Sequence, residues 1–449
     1  MDSLEAQKAN VKSYKIKRLK AQLLPVSVQQ AATAQDRPAK GPVWISRVRI
    51  EAPTDSNVRQ HFLEAVANLG KGDEVFSLPQ YTPIQGEWVG KRTDTIDPAA
   101  AEPIMSESAK FHTMQNQRTS STTILYLHGG AYFFGSPVTA RPFTVPLSAI
   151  IGGCCFALRY RMAPQFPALA PQLDILVAYL NLLYPPPFAT HTAIAASSIV
   201  LSGESCGASL CFALIQVILQ IRRQQATSKP IVKFNGREVE LPMPAGIACL
   251  SCAADVPLCL PSYINPRNKE IDFMSDAPPY REPDGRVDAI WPSSPPRGEI
   301  CCEISAMAHP IMSPSISEYW HGAPPMYLAC GEERFADASK LIAQRAAAHG
   351  VMVSFKEYCL MPHSFASFLR MLPQSRHCVQ GWAEACKDFA ESKESRQSRA
   401  VIVEAGDLQT REIDVSRLVA YSLKDALALM EAKKRTMKVW TGPSEKALL

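Results

Sequence analysis

The segment Gly203-Glu204-Ser205-Cys206-Gly207 restricts the folds open to this chain more than any other stretch. It follows the apolar run Ile199-Val200-Leu201 and leads into a long helical pattern, Ala208 to Arg222. A strand that turns sharply into a helix, with a serine at the apex, requires this G-x-S-x-G spacing. The chain before and after the apex packs closely, so Gly203 and Gly207 stand where any Cβ would clash. The helix that opens at the turn aims unpaired N–H groups and a partial positive charge at the apex. The N–H of Cys206 is thereby set to stabilise an oxyanion.

A second segment carries the apolar run Thr123 to Leu127 into His128-Gly129-Gly130-Ala131-Tyr132, with His128 lying 77 residues before Ser205. Glycine lets a backbone N–H approach a substrate oxygen, so Gly129 and Gly130 are the other expected oxyanion donors, with Ala131 a further one. Such donors are worth about 3–4 kcal/mol each in a transition state. Strand, serine turn, helix and upstream His-Gly-Gly together describe a device for attacking a carbonyl.

Four ordered stretches carry a family resemblance. His128 to Tyr132 is similar to an H-G-G-G-[FY] motif, and Tyr160-Arg161-Met162-Ala163-Pro164-Gln165-Phe166-Pro167 to Y-R-L-A-P-E-x-x-P. Gly203 to Gly207 is similar to G-[DE]-S-A-G, and His309-Pro310-Ile311-Met312-Ser313-Pro314 to H-P-x-x-S-P. The chain thus resembles the hormone-sensitive-lipase-like esterases of the α/β-hydrolase superfamily, from about Thr123 to Phe368. Trp44-Ile45-Ser46-Arg47 and Cys330-Gly331-Glu332-Glu333 resemble fungal members most. The resemblance implies an α/β-hydrolase fold, a mostly parallel doubly wound sheet with helices on both faces. It also implies a cap built from the N-terminal section and an insertion.

This fold orders its triad as Ser, then Asp or Glu, then His. The expected base is His363, in Met361-Pro362-His363-Ser364-Phe365 after the strand-like Val351 to Phe355. Laid on the family's D-x-L-x-D pattern, the acid is Glu333, with Asp337 and Glu332 as alternatives. The family acid lies about thirty residues before the base; Glu333 stands 30 before His363 and Asp337 only 26. Asp337 is also explained as a cap or dipole partner of the helix that follows. Two positions depart from the family: Ala131 replaces a third glycine, and Ser364 replaces the glycine after the base.

These residues predict a serine-dependent hydrolase of short-to-medium carboxylic esters, acting through an acyl-enzyme and needing no metal or cofactor. An amide hydrolase or acyltransferase would use the same triad. A catalytically silent small-molecule binder of this fold would have lost the base, and this chain retains His363.

With 449 residues, 47% of them hydrophobic, the chain can bury a large core, and a net charge of +5 gives no reason to expect a nucleic-acid partner. Several of the thirteen cysteines sit in apolar runs, such as Cys154-Cys155 and Cys211, as small buried hydrophobes of a reducing compartment do. Cys249-Leu250-Ser251-Cys252 is a lone C-x-x-C with no second pair to complete a zinc site. No signal-peptide run, spanning segment or glycosylation sequon is read, so a soluble cytoplasmic enzyme is expected. The basic stretch Lys12 to Lys20 is read as a solvated helix face or a weak contact with an anionic membrane surface.

Five regions are expected: 1–115, an N-terminal section and part of the cap; 116–255, the first half of the core; 256–323, a Pro-rich cap insertion; 324–390, the second half, carrying acid and base; and 391–449, a C-terminal extension. Strands are predicted at 44–50, 122–127, 154–159, 198–202 and 246–251, with helices over 57–69 and 423–437. Tyr263, Phe273, Trp291 and Trp320 are candidates to line an acyl or alcohol pocket or to pack in the core.

Overall fold

A computed structural model describes residues 3–278, 280, 287–392 and 397–442. Part of the polar stretch 391–399 therefore lies outside the described residues. The described strands are β1 (Val43–Ile50), β2 (Ile84–Lys91), β3 (Thr123–Leu127), β4 (Cys154–Arg159), β5 (Ile199–Glu204), β6 (Ile231–Phe234), β7 (Arg237–Glu240), β8 (Gly246–Leu250), β9 (Met326–Gly331), β10 (Val353–Tyr358), β11 (Arg399–Val403) and β12 (Thr410–Ile413). Ten of them form one sheet in the order β1-β2-β4-β3-β5-β8-β9-β10-β11-β12, and β6 and β7 form a separate hairpin. From β4 to β11 all neighbours run parallel; β1–β2, β2–β4 and β11–β12 are antiparallel.

Every residue of β3, β5, β8 and β9 is buried. Parallel strands covered on both faces read as unbroken apolar runs, which is why these were visible in the sequence. One face is covered by the helices Val58–Leu69, Ala170–Leu183 and Cys206–Gln224, through residues such as Phe62, Leu176, Phe212 and Ile218. The other is covered by Pro137–Ile151 and Pro373–Ala390, through Phe143, Leu147 and Trp382. Each such side chain stabilises the fold by about 1.5–3 kcal/mol on burial. Among the described residues a single helix, Cys206–Gln224, is long and apolar enough to cross a membrane, and it is this buried core helix.

Two parts differ from the sequence reading. The sheet continues past residue 390, because β11 pairs with β10 and buries Ala400, Val401 and Val403 against it. The basic N-terminal segment lies in the helix Ser3–Gln22, and one side of it docks on the protein. Tyr14 stacks on Phe368 at 4.7 Å and meets Phe273 edge-on, Val11 is buried, and the Lys15 ammonium donates to the carbonyls of Lys269 and Glu270. Lys12, Lys17 and Lys20 remain exposed.

Candidate active site

Ser205 sits between β5 and the helix Cys206–Gln224 with φ 57° and ψ −126°, in the left-handed half of backbone space. The sharp turn explains its glycines. A Cβ on Gly203 would lie 2.5 Å from the Leu127 carbonyl oxygen, and one on Gly207 only 2.0 Å from the same atom. The serine loop and the end of β3 touch backbone to backbone.

His363 lies beyond β10 and Glu333 just beyond β9, two neighbouring strands whose C-terminal ends face Ser205. The Ser205 hydroxyl is 2.8 Å from His363 Nε2, and His363 Nδ1 is 2.9 Å from Glu333 Oε1. Glu333 has no exposed surface. Its Oε2 accepts the Ser251 hydroxyl at 2.6 Å and the Gly331 N–H at 3.0 Å, so the carboxylate cannot swing away. Phe335 and Phe273 close on the imidazole, with ring centroids 5.2 and 6.1 Å away.

The other two acids point elsewhere. Glu332 pairs with Arg267 and accepts the Leu360 N–H. Asp337 accepts the Ser262 N–H and the Tyr421 hydroxyl, both at 2.9 Å, and so ties the insertion and the C-terminal extension to the core. It lies in the first turn of Ala336–Ala348, but its carboxylate is a strap between segments, not the cap the sequence offered.

The His-Gly-Gly loop corrects one expectation. Gly129 donates its N–H to Glu204 Oε1 at 2.8 Å and so does not present it to a substrate. Glu204 also accepts the Tyr126 hydroxyl, and burial pushes its pKa up to about 7. Gly130 adopts φ 124°, and any Cβ there would run into the Phe134 carbonyl at 1.9 Å. Ala131 takes φ 49°, a region that favours glycine, so the family's third glycine is replaced here at a cost in backbone strain. The Tyr132 N–H, at 3.2 Å, and the Ala131 N–H both meet the Cys206 thiol, which pins the loop to the serine helix. His128 stacks on Tyr160, and burial lowers its pKa to about 4; it is a neutral ring supporting the loop. Ser364 repeats the pattern of Ala131: φ is 51° where the family has glycine, and its N–H donates to Ser251 Oγ at 2.9 Å.

Ser205, Cys206 and Ala131 open onto a cavity of about 120 Å³ walled by Phe133, Phe134 and Phe335 among others. Of the aromatic candidates Tyr263 lines it and Phe273 stands behind His363. Trp291 and Trp320 do not line it: both are fully buried, one against Tyr280 and Trp440, the other against Phe212. Phe133 and Phe134 directly follow the His-Gly-Gly motif, a signal the sequence reading passed over. The remaining motifs are structural. Arg161 forms a fork with the buried Asp174 carboxylate, and His309 holds the Val66 carbonyl at 3.1 Å. Among the described residues no group of His, Cys, Asp and Glu is arranged to hold a metal ion.

The profile of a family described as alpha/beta hydrolase fold matches residues 124–367. The chain belongs to that family. It is similar to an acetyl-hydrolase of Streptomyces hygroscopicus, 29% identical over 266 residues that cover 59% of this chain and 74% of that protein. It is also similar to an esterase of Acinetobacter venetianus, 25% identical over 283 residues, 63% of this chain and 80% of the other. A hormone-sensitive lipase structure from a metagenome library shares the fold with a TM-score of 0.54 at 21% identity, covering 85% of this chain and 98% of its own. An esterase/lipase structure from an uncultured bacterium gives 0.53 at 20% identity, over 84% and 98%.

Proposed function

We propose that Ser205 is the nucleophile, His363 the general base and Glu333 the orienting acid of a serine hydrolase. The enzyme is a carboxylic ester hydrolase, the activity carried in the names of the curated relatives. The observation that supports the mechanism best is the unbroken chain from the Ser205 hydroxyl through the imidazole to a buried carboxylate, at 2.8 and 2.9 Å, opening on a cavity. Ser205 Oγ attacks the ester carbonyl as His363 Nε2 takes its proton. The N–H groups of Gly130 and Cys206 hold the oxyanion; the Ala131 N–H, expected as a further donor, is taken by the Cys206 thiol. His363 returns the proton to the leaving alcohol, and water then cleaves the acyl-enzyme by the reverse relay. The cap over the site is drawn from the described residues before β1 and from those of 256–323, through Gln29, Tyr263 and Met274, while Val43–Ile50, expected in the cap, belongs to the sheet; the fungal style of the Trp44–Arg47 and Cys330–Glu333 segments belongs to the same reading. Fluorophosphonate labelling of Ser205, with turnover of a chromogenic ester compared with its amide analogue, tests the assignment. Failure to label, or equal turnover of the amide, would sink it.

The cavity's size and the Ala131 methyl beside the oxyanion loop favour a short acyl group. Rates on p-nitrophenyl esters should be highest from acetyl to about hexanoyl and fall beyond it. A steady rise past about ten carbons would contradict this.

All thirteen cysteines are unpaired and eleven are buried. Together with the sequence this supports a cytoplasmic enzyme with reduced thiols. Titration of freshly purified protein under denaturant should find most thiols free; recovery mainly in a carbonate-resistant membrane fraction would count against the placement.

A further inference from the structure

Asp272 is a second buried carboxylate at this centre, and the relay above gives it no part. It follows the short helix Pro266–Ile271 in the insertion and has no exposed surface. Its Oδ1 accepts the N–H of Phe273 at 2.7 Å and that of His363 at 3.3 Å, while Oδ2 accepts the N–H of Arg334 at 2.9 Å. Arg334 adjoins the acid Glu333, and His363 is the base. One carboxylate therefore bridges the two loops whose separation sets the Glu333–His363 hydrogen bond.

The charges around the imidazole come from several elements. Glu333 contacts Nδ1 from the loop after β9. Asp272 faces it from the insertion: burial raises the Asp272 pKa, and the field of His363 is the largest influence drawing it back. Glu204, at the end of β5, feels the same ring. On the cationic side, Lys15 reaches in from the N-terminal helix and interacts with both Asp272 and Arg334. The Arg334 guanidinium itself turns outward to the carbonyls of Tyr263 and Met274 and to Asp276.

We infer that Asp272 is a positioning residue for His363. It clamps the base loop to the acid loop through their backbone N–H groups. It also holds a fixed negative charge near the imidazolium that forms as Ser205 loses its proton. The insertion, on this account, completes the relay as well as covering it. The inference rests on the triad assigned above.

The main test is Asp272→Asn in the full-length chain. An amide keeps one acceptor oxygen and turns an NH₂ toward the remaining N–H donors, so one of the two loops loses its anchor. On a chromogenic acetate ester, kcat is expected to fall about 10- to 100-fold with KM within about twofold. Loss of the nearby anion disfavours the imidazolium, so the His363 pKa drops and the acidic limb of kcat/KM moves down by about half a pH unit. Asp272→Glu keeps the charge and should return that limb to its wild-type position. A purely structural role would lower the amount of active enzyme without moving the limb. Wild-type kcat and an unmoved limb in Asp272→Asn would overturn the inference. If that variant does not fold, Lys15→Gln reads the same field from its cationic side: the limb should rise by a few tenths of a unit, roughly, and a fixed limb refutes the proposal. Fluorophosphonate labelling of the wild type separates the two readings. An unlabelled wild type defeats the triad itself, whereas a labelled, active wild type matched by Asp272→Asn defeats only the role of Asp272.

Discussion

Replacing Ser205 by alanine should leave a folded protein whose kcat for p-nitrophenyl acetate is lower by about five to six orders of magnitude, and which no longer reacts with a fluorophosphonate. The size of the loss follows from the geometry. Ser205 Oγ is the atom that the His363 Nε2 reaches, and the turn presents it to the cavity. Stability should change little, because the turn's shape comes from Gly203 and Gly207 and from backbone contacts with Leu127, none of which involve the hydroxyl. Far-UV circular dichroism and a melting curve check that point. The neighbouring thiol is no substitute nucleophile. The Cys206 thiol accepts the Tyr132 N–H, and burial pushes its pKa up to about 12, so it stays protonated at working pH. Labelling that persisted in the variant, or that moved to Cys206, would refute the assignment.

What the sequence made legible follows from where its physics is local. β3, β5 and β8 could be read because strands buried on both faces must be apolar throughout. β2 could not: Gln85, Gly86, Glu87 and Gly90 break any strand pattern, and its glycines are set by neighbours far along the chain, Phe156 and Met114. β12 escaped because it lies at the sheet's edge and carries charge, with Arg411 and Glu412 exposed, and β11 because it is only five residues long beside a polar stretch and is held as a strand by pairing with β10 and β12. The serine turn was legible because its constraints sit within five residues. The donor role given to Gly129 failed because what decides it is a carboxylate 75 positions away. Asp272 was invisible for the same reason, since its partners at 334 and 363 are defined only by the fold.

Glu333→Gln should cut kcat by about three to four orders of magnitude while the protein stays folded, and the hydrogen bonds around the acid say why. Ser364 donates its N–H to Ser251 Oγ, so the Ser251 proton is directed at Glu333 Oε2. Gly331 donates its N–H to the same oxygen. Two donors at one position leave a glutamine no choice: its carbonyl oxygen must sit there, and its NH₂ must face His363 Nδ1. The imidazole then accepts at Nδ1 and carries its proton on Nε2, facing Ser205, where it cannot take a proton from the hydroxyl. The wrong tautomer is thus enforced by packing, and the imidazolium loses its stabilising anion as well. Asp337→Asn makes the contrast. It weakens the bonds to Ser262 and Tyr421, at a cost of about 1–2 kcal/mol in stability, and leaves kcat near wild type. Steady-state kinetics and melting curves on the two variants discriminate directly. An inactive Asp337→Asn beside a Glu333→Gln of ordinary turnover would mean that the relay runs through the other carboxylate, one helical turn along.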